Sequence, residues 1–152
     1  MSIAALLSPD CILMDVQEKR KKRVIAELTD RLERTGKIEN GKLLAEMVMK
    51  REAMASTGIG HGIAIPHCLF PQLRQTVIAI GRSGPGIPFD SADNKPARLI
   101  FLLAGPPDST PEHLKLLSKL SRLLTEKDFR ASLISAENPE EVIELFRRAE
   151  ES

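Results

Sequence analysis

The chain has no tryptophan and no tyrosine, and only five phenylalanines. It therefore has almost no aromatic surface on which to stack bases or sugars. Its two cysteines, Cys11 and Cys68, stand far apart and make no disulfide framework, so the expected compartment is the cytoplasm, where thiols stay reduced. Neither sign of charge prevails: 22 Lys and Arg oppose 21 Asp and Glu for a formal charge of +1, which argues against a polybasic nucleic-acid binder. Apolar runs such as Leu99 to Ala104 fall far short of the ~20 residues of a membrane span, so no membrane insertion is expected. The segment Met1 to Leu7 is apolar but lacks a basic flank and soon meets Asp10, so no signal peptide is read there. A Walker loop, the GxGxxG fingerprint and a nucleophile elbow are all missing.

What remains is an ordinary globular composition, 42% hydrophobic and 28% charged over 152 residues. Neither repeat nor linker divides the chain, and one domain over residues 1–152 is expected. Helical and strand periods alternate, the mark of an α/β fold. Asp15 with Glu18 reads as a capping box ahead of a helix burying Val24, Ile25, Leu28 and Leu32, stopped by Gly36. A second helix starts near Asn40, buries Leu43, Leu44, Met47 and Val48, and ends around Ala55. Strands are expected at Ile63–Ile65, Thr76–Ile80 and Arg98–Ala104, the last apolar enough to be covered on both faces. A long loop is read over Ser83–Pro96. Helices then follow from Thr110-Pro111 with a Leu116, Leu117, Leu120, Leu123, Leu124 stripe, around Phe129, Leu133 and Ile134, and after Asn138-Pro139 with Val142, Leu145 and Phe146 buried.

Chemistry concentrates in Gly58-Ile59-Gly60-His61-Gly62-Ile63-Ala64-Ile65-Pro66-His67-Cys68. Glycines bring backbone N–H groups close to a ligand and can form an anion-binding nest. Pro66 donates no hydrogen bond, so the strand must end or reach an edge there, leaving His67 at a strand end where α/β proteins meet ligands. The plainer reading is a tight turn feeding a strand that ends in a surface histidine.

Arg51-Glu52, then Ser56-Thr57-Gly58-Ile59-Gly60-x-Gly62-Ile63-Ala64-Ile65-Pro66-His67, resembles the phosphorylation-site motif of enzyme IIA of the phosphoenolpyruvate-dependent phosphotransferase system, fructose/mannitol class. The wording is similar to the nitrogen-regulatory branch. Pro88-Phe89-Asp90, Asp93-Asn94-Lys95-Pro96 and the stretch from Pro107 to Leu117 with His113 extend the resemblance over most of the chain. It implies an α/β domain with a mixed β-sheet flanked by α-helices on both faces. It also implies a phosphocarrier: His67 accepts a phosphoryl group from an HPr-type carrier, then passes it to a cysteine of an enzyme IIB or keeps it as a regulatory mark.

The residue types suit that role. Phosphoryl transfer needs an in-line nucleophile and stabilised equatorial oxygens, and a neutral imidazole near pH 7 is a good nucleophile. The amides of Gly58, Ile59, Gly60 and Gly62 are candidates to bind the phosphoryl oxygens, and Arg51 supplies a forked positive charge; neither metal nor other cofactor is called for. His113 reads either as a packed first-turn histidine, about third in its helix, or, by the resemblance, as a helper beside His67. His61 stands where relatives often carry Asn and is expected to face solvent. Cys68 follows His67 directly, so on a strand the two side chains point to opposite faces and make no catalytic pair. Lys19 to Arg23 wraps more than one helical turn and reads as a solvated face. A zinc site from His61, His67, Cys68 and His113 has suitable ligand types at unsuitable spacing. The alternative in another class is a regulatory module that binds target proteins according to its phosphorylation state, without onward transfer. No fused carrier, IIB or transporter is read in the sequence, which suits regulation as well as sugar uptake.

Overall fold

In the computed structural model, which describes residues 2–151, the chain forms α1 (Ile3–Leu6), β1 (Ile12–Leu13), α2 (Lys21–Arg34), α3 (Gly41–Met54), β2 (Gly58–Gly60), β3 (Ile63–Ala64), β4 (His67–Leu69), β5 (Val77–Ile87), β6 (Ala97–Gly105), α4 (Thr110–Leu123), α5 (Lys127–Ser135) and α6 (Pro139–Glu151). The six strands make one mixed sheet in the order β1-β5-β6-β3-β2, with β4 also pairing with β6. Strand β6 explains the layering. Its Ile100, Leu102 and Ala104 join the core under α2 and α3, while Leu99, Phe101 and Leu103 join the core under α4, α5 and α6. A strand apolar on both faces needs cover on both faces, and the helices supply it as expected.

The helix stripes fall where the 3.6-residue period put them. Val24, Ile25, Leu28 and Leu32 of α2 are fully buried, as are Leu44 and Val48 of α3, whereas Leu43 and Met47 are only partly covered. Across the sheet Leu116, Leu120 and Leu124 pack with Leu133, Val142 and Phe146, and Leu117, Leu123, Phe129, Ile134 and Leu145 line the margin.

Two expectations need correction. Asp15 and Glu18 do not cap α2, which starts at Lys21 after Arg20 with no side-chain cap. The Val16 N–H donates to the Arg82 carbonyl at 2.9 Å, so this stretch is held against the sheet. Glu27, inside the helix, reaches back instead and accepts the N–H groups of Gln17 and Glu18 at 3.0 and 3.1 Å. The loop expected from Ser83 begins only after Ile87. Strand β5 carries Gly84-Pro85-Gly86 as an irregularity between the Arg82↔Leu99 and Ile87↔Ala97 pairs, and a bulge can hold a proline that a regular ladder cannot. Strands β1, β2 and β4 were too short to give a periodic signal.

Strands β2 and β3 form a hairpin whose two-residue turn, His61-Gly62, has φ of +57° and +78°, the positive-φ pair favoured in tight hairpins. A left-handed conformation costs a residue with a Cβ roughly 1–2 kcal/mol, less for asparagine, whose side chain bonds locally. Replacing His61 by Asn keeps the backbone N–H that donates to Asp93 Oδ2 at 3.1 Å. His61→Asn is expected to raise the stability by a few tenths to about 1 kcal/mol. The check is the urea midpoint at unchanged m-value; a midpoint that falls contradicts the turn assignment.

Candidate functional site

Strands β3 and β4 run along one lane of β6 in unbroken register, from Ile63↔Leu99 to Leu69↔Gly105. The lane is interrupted at Ile65-Pro66 because proline has no N–H to give; its carbonyl still accepts the Leu103 N–H at 3.0 Å. His67 thus opens β4 rather than ending β3. The alternation of faces sends its ring to the α4 side, and Cys68 packs under α2 and α3 on the other. The expected divergence of His67 and Cys68 is what the sheet imposes. Burial pushes the Cys68 thiol up to about 11, so it is not a nucleophile near neutrality.

The Ile65 carbonyl faces the edge away from β6, the edge on which the Ile65 N–H donates to Thr57, and His67 Nδ1 lies 2.6 Å from it. A carbonyl oxygen only accepts, so Nδ1 carries the proton and Nε2 keeps its lone pair. The His113 ring faces the His67 ring, centroids 5.6 Å apart and tilted by 49°. His113 is the fourth residue of α4, one later than expected. Its own N–H is engaged by the Ser109 carbonyl at 2.9 Å, so what it brings to the site is its ring. His113 is 5% exposed, and its Nδ1 is buried with no hydrogen-bond partner. A buried polar atom left unpaired costs about 1–3 kcal/mol, and such an atom calls for an explanation. The fit beneath the ring is tight: a Cβ on Gly105 would come within 2.8 Å of this Nδ1. Only glycine at the end of β6 lets the ring lie there.

Both histidines titrate below their ordinary value. For His67 burial is the main cause and the Arg51 charge adds to it, against the Ile65 hydrogen bond and the Glu52 charge. For His113 the causes are burial and the neighbouring His67. Each ring is therefore neutral at pH 7. Arg51 stands in the last turn of α3 with Nη1 donating to the Ala55 carbonyl at 3.1 Å, which holds the guanidinium at the helix end from which it acts on His67.

The glycine-rich segment is a strand rather than an open loop. Gly58 and Gly60 pair with Ala64 and Ile63, and the Gly58 N–H donates to Ser56 Oγ at 3.0 Å. The loop that follows β5 closes over it: Ser56 Oγ donates to the Phe89 carbonyl, and Asp93 accepts the N–H groups of His61 and Lys95. Phe89, Ser91 and Asp93 of that loop thus lie against the glycine strand.

Glu52 follows Arg51 in the motif, and the sequence alone assigns it no role. It is 6% exposed, pairs with Lys21 at 2.9 Å, and accepts the backbone N–H and the hydroxyl of Thr57. Its signal was present all along, since Leu44, Val48 and Glu52 continue one buried stripe of α3. Lys21 is also the member of the basic run that does not face solvent freely, while Lys19, Arg20, Lys22 and Arg23 are exposed. His61 stays exposed at the hairpin tip. Among the described residues no group of three or more His, Cys, Asp or Glu is arranged to hold a metal ion, and no helix is long and apolar enough to cross a membrane.

Residues 5–149 match the family model described as phosphoenolpyruvate-dependent sugar phosphotransferase system, EIIA 2. A fructose-specific EIIA component of Haloferax volcanii is 32% identical over 95% of this chain and 94% of its own length. A fructose-specific EIIABC component of Bacillus subtilis is 36% identical over 97% of this chain, which spans only 23% of that longer protein. Among solved structures, the nitrogen regulatory protein IIA-Ntr of Neisseria meningitidis superposes with a TM-score of 0.88 at 35% identity, covering 95% of this chain and 98% of that one. The mannitol enzyme IIA of Escherichia coli, solved in complex with phosphorylated enzyme IIB, shares the fold at a TM-score of 0.76 and 21% identity, over 93% of this chain and 97% of that one.

The close approach at Gly105 makes a specific prediction. Gly105→Ala is expected to displace the His113 imidazole and change its NMR titration, while costing no more than about 3 kcal/mol of stability, the usual range for overpacking. Imidazole shifts of His113 and His67 followed against pH provide the check. Superimposable titrations in a folded variant mean that the ring does not depend on this glycine.

Proposed function

Because the chain belongs to the EIIA 2 family of the phosphoenolpyruvate-dependent sugar phosphotransferase system, we propose that it is a phosphocarrier whose acceptor atom is Nε2 of His67. The observation that carries this reading is the 2.6 Å contact between His67 Nδ1 and the Ile65 carbonyl. It leaves the bare nitrogen of a neutral ring pointing away from the backbone. The Nε2 lone pair forms the new N–P bond while the N–P bond of a phosphohistidine donor breaks, and that electron pair returns to the donor imidazole. The positive charge gained by the His67 ring rests at Nδ1–H, against the carbonyl oxygen that already accepts its proton. Arg51 supplies fixed charge to the transferring oxygens, and His113 offers a ring N–H close by. The amides of Ile59, Gly60 and Gly62 are the further donors, with that of Gly58 held by Ser56 unless it exchanges partners.

The donor in this proposal is an HPr-type carrier protein. Large exposed hydrophobics support a protein surface as the donor: Met54 at 82%, Ile59 at 47% and Leu114 at 59% exposure lie on the segments that bear Arg51, the glycine strand and His113. Onward transfer to an enzyme IIB cysteine completes the cycle, in the cytoplasm. The likeness to IIA-Ntr at 35% identity favours a second use of the same phosphohistidine, as a mark that governs binding to regulatory targets.

Incubation with phosphoenolpyruvate, enzyme I and an HPr-type carrier is expected to add one acid-labile phosphoryl group, read by intact-mass spectrometry. His67→Ala takes none, and phosphorylation retained in that variant removes His67 as the acceptor. Arg51→Ala is expected to slow transfer by about 10- to 100-fold without abolishing it, since it loses charge stabilisation and keeps the nucleophile. Unchanged kinetics take Arg51 out of the mechanism.

The pH dependence has a definite sign. Protonation removes the Nε2 lone pair, and the His67 pKa lies below the ordinary 6.5. The midpoint of the acid-side fall in acceptance therefore lies below pH 6.5, with the full rate on the alkaline side. A midpoint above 6.5, in stopped-flow transfer with the carrier's own titration subtracted, contradicts the neutral buried imidazole.

A further inference from the structure

An unbroken chain of contacts leads from the start of α2 to the reactive ring. Lys21 Nζ lies 2.9 Å from Glu52 Oε2 and 5.1 Å over the centroid of the Phe89 ring. The other carboxylate oxygen, Oε1, accepts the N–H of Thr57 at 3.1 Å and the hydroxyl of the same residue. The carbonyl of Thr57 accepts the N–H of Ile65 at 3.0 Å. The carbonyl of Ile65 accepts the Nδ1–H of His67 at 2.6 Å. Glu52, Thr57 and Ile65 are all buried, so water does not compete for these bonds.

We propose that Glu52 is a positioning residue for His67: its carboxylate clamps Thr57 and, through the Thr57–Ile65 bond, holds the Ile65 carbonyl where it keeps His67 in the Nδ1–H tautomer with Nε2 bare. The inference rests on His67 being the acceptor and adds to it the group that sets the acceptor's tautomer and aim.

The chemistry of the chain requires a carboxylate at this place. Thr57 presents two donors side by side, and Lys21 presents a cation on the other flank. A carboxylate is acceptor-only and meets all three, whereas an apolar residue continuing the Leu44, Val48 stripe would leave the buried N–H of Thr57 unpaired. Burying a charge pair gains little stability over a well-packed apolar replacement, so packing alone does not account for an ion pair on this stripe. The Ile65 carbonyl sits beside Pro66, where the ladder on β6 lapses, and that is where an outside tie is needed to fix its direction. The Glu52 charge also favours the protonated His67 ring, opposing Arg51, which places the carboxylate within electrostatic reach of the imidazole.

The test separates positioning from mere support of the fold. In a Lys21→Met background, which avoids an uncompensated cation, Glu52→Gln is compared with Glu52→Met. Two quantities are read: the tautomer of His67 from its imidazole ¹⁵N shifts, and the rate of phosphoryl transfer from the HPr-type carrier. Glu52→Met, with no acceptor for Thr57, is expected to show a mixed tautomer and a rate lowered by about tenfold or more, because small misplacements of a reacting group are costly. Glu52→Gln, which still offers an oxygen, is expected to recover most of the tautomer signature and to slow transfer by only about threefold. A folded Glu52→Met protein with the wild-type tautomer and a rate within about twofold overturns the proposal. Should Glu52→Met fail to fold, Thr57→Val removes only the hydroxyl arm of the clamp. A shift of its tautomer ratio supports the proposal, and an unshifted ratio overturns it. If the wild-type protein accepts no phosphoryl group, the acceptor reading fails by itself, while the ¹⁵N shifts still decide whether Glu52 sets the tautomer.

Discussion

The hydrogen-bond ladder on β6 is the constraint from which the rest of the molecule follows. That strand is buried on both faces, so it neither slides nor rotates without exposing one of two cores. The lane formed by β3 and β4 keeps one register along it, and the only relief is at Ile65-Pro66, where proline withholds a donor. The site occupies that relief. The Ile65 N–H and carbonyl face the edge away from β6, where Thr57 takes the first and the His67 ring the second. The same strand ends at Gly105, whose missing Cβ makes room for the second ring. One rigid strand thus places the two imidazoles from opposite directions, one from the sheet and one from α4.

Electrostatics then sort the roles. Burial lowers the proton affinity of both rings and keeps them neutral near pH 7, the form that the proposed phosphoryl acceptance needs. The only free thiol next to the site lies on the other face of the sheet, with its proton held more tightly by burial. Arg51 and Glu52, consecutive on α3, act in opposite senses on His67. Arg51 sits at the helix end beside its own carbonyls, while Glu52 is buried against Thr57 and Lys21. Sequence neighbours thereby reach different sides of the same residue, because successive positions of a helix differ in direction by about 100°.

Most of the secondary structure could be read from periodicity, and the misses share one cause. The α2 stripe was clear because four large aliphatic residues repeat at helical spacing with nothing to compete. The capping box at Asp15 and Glu18 failed because the chain there is claimed by a longer-range bond, Val16 N–H to the Arg82 carbonyl. The strand at Ser83–Ile87 was hidden by Gly84-Pro85-Gly86, residues that signal a turn in isolation but fit a bulge when a partner strand is present. Strands of two or three residues, such as β1 and β4, carry no period at all and form where β5 and β6 offer them a partner.

At the site, the sequence by itself determined which residues are available and in what local arrangement: a proline that interrupts a strand, a histidine directly after it, a cysteine sent to the opposite face, and a glycine-rich segment ahead of them. Those are consequences of backbone chemistry within a few residues, so they need no partner. Only the tertiary structure decided that His113 meets His67 at 5.6 Å, that Gly105 is the glycine on which this depends, and that an acidic residue in an apolar stripe is linked to the His67 ring through Thr57 and Ile65. Each of these joins residues far apart along the chain. Their meeting is set by sheet register and helix packing, which a one-dimensional pattern constrains but does not contain.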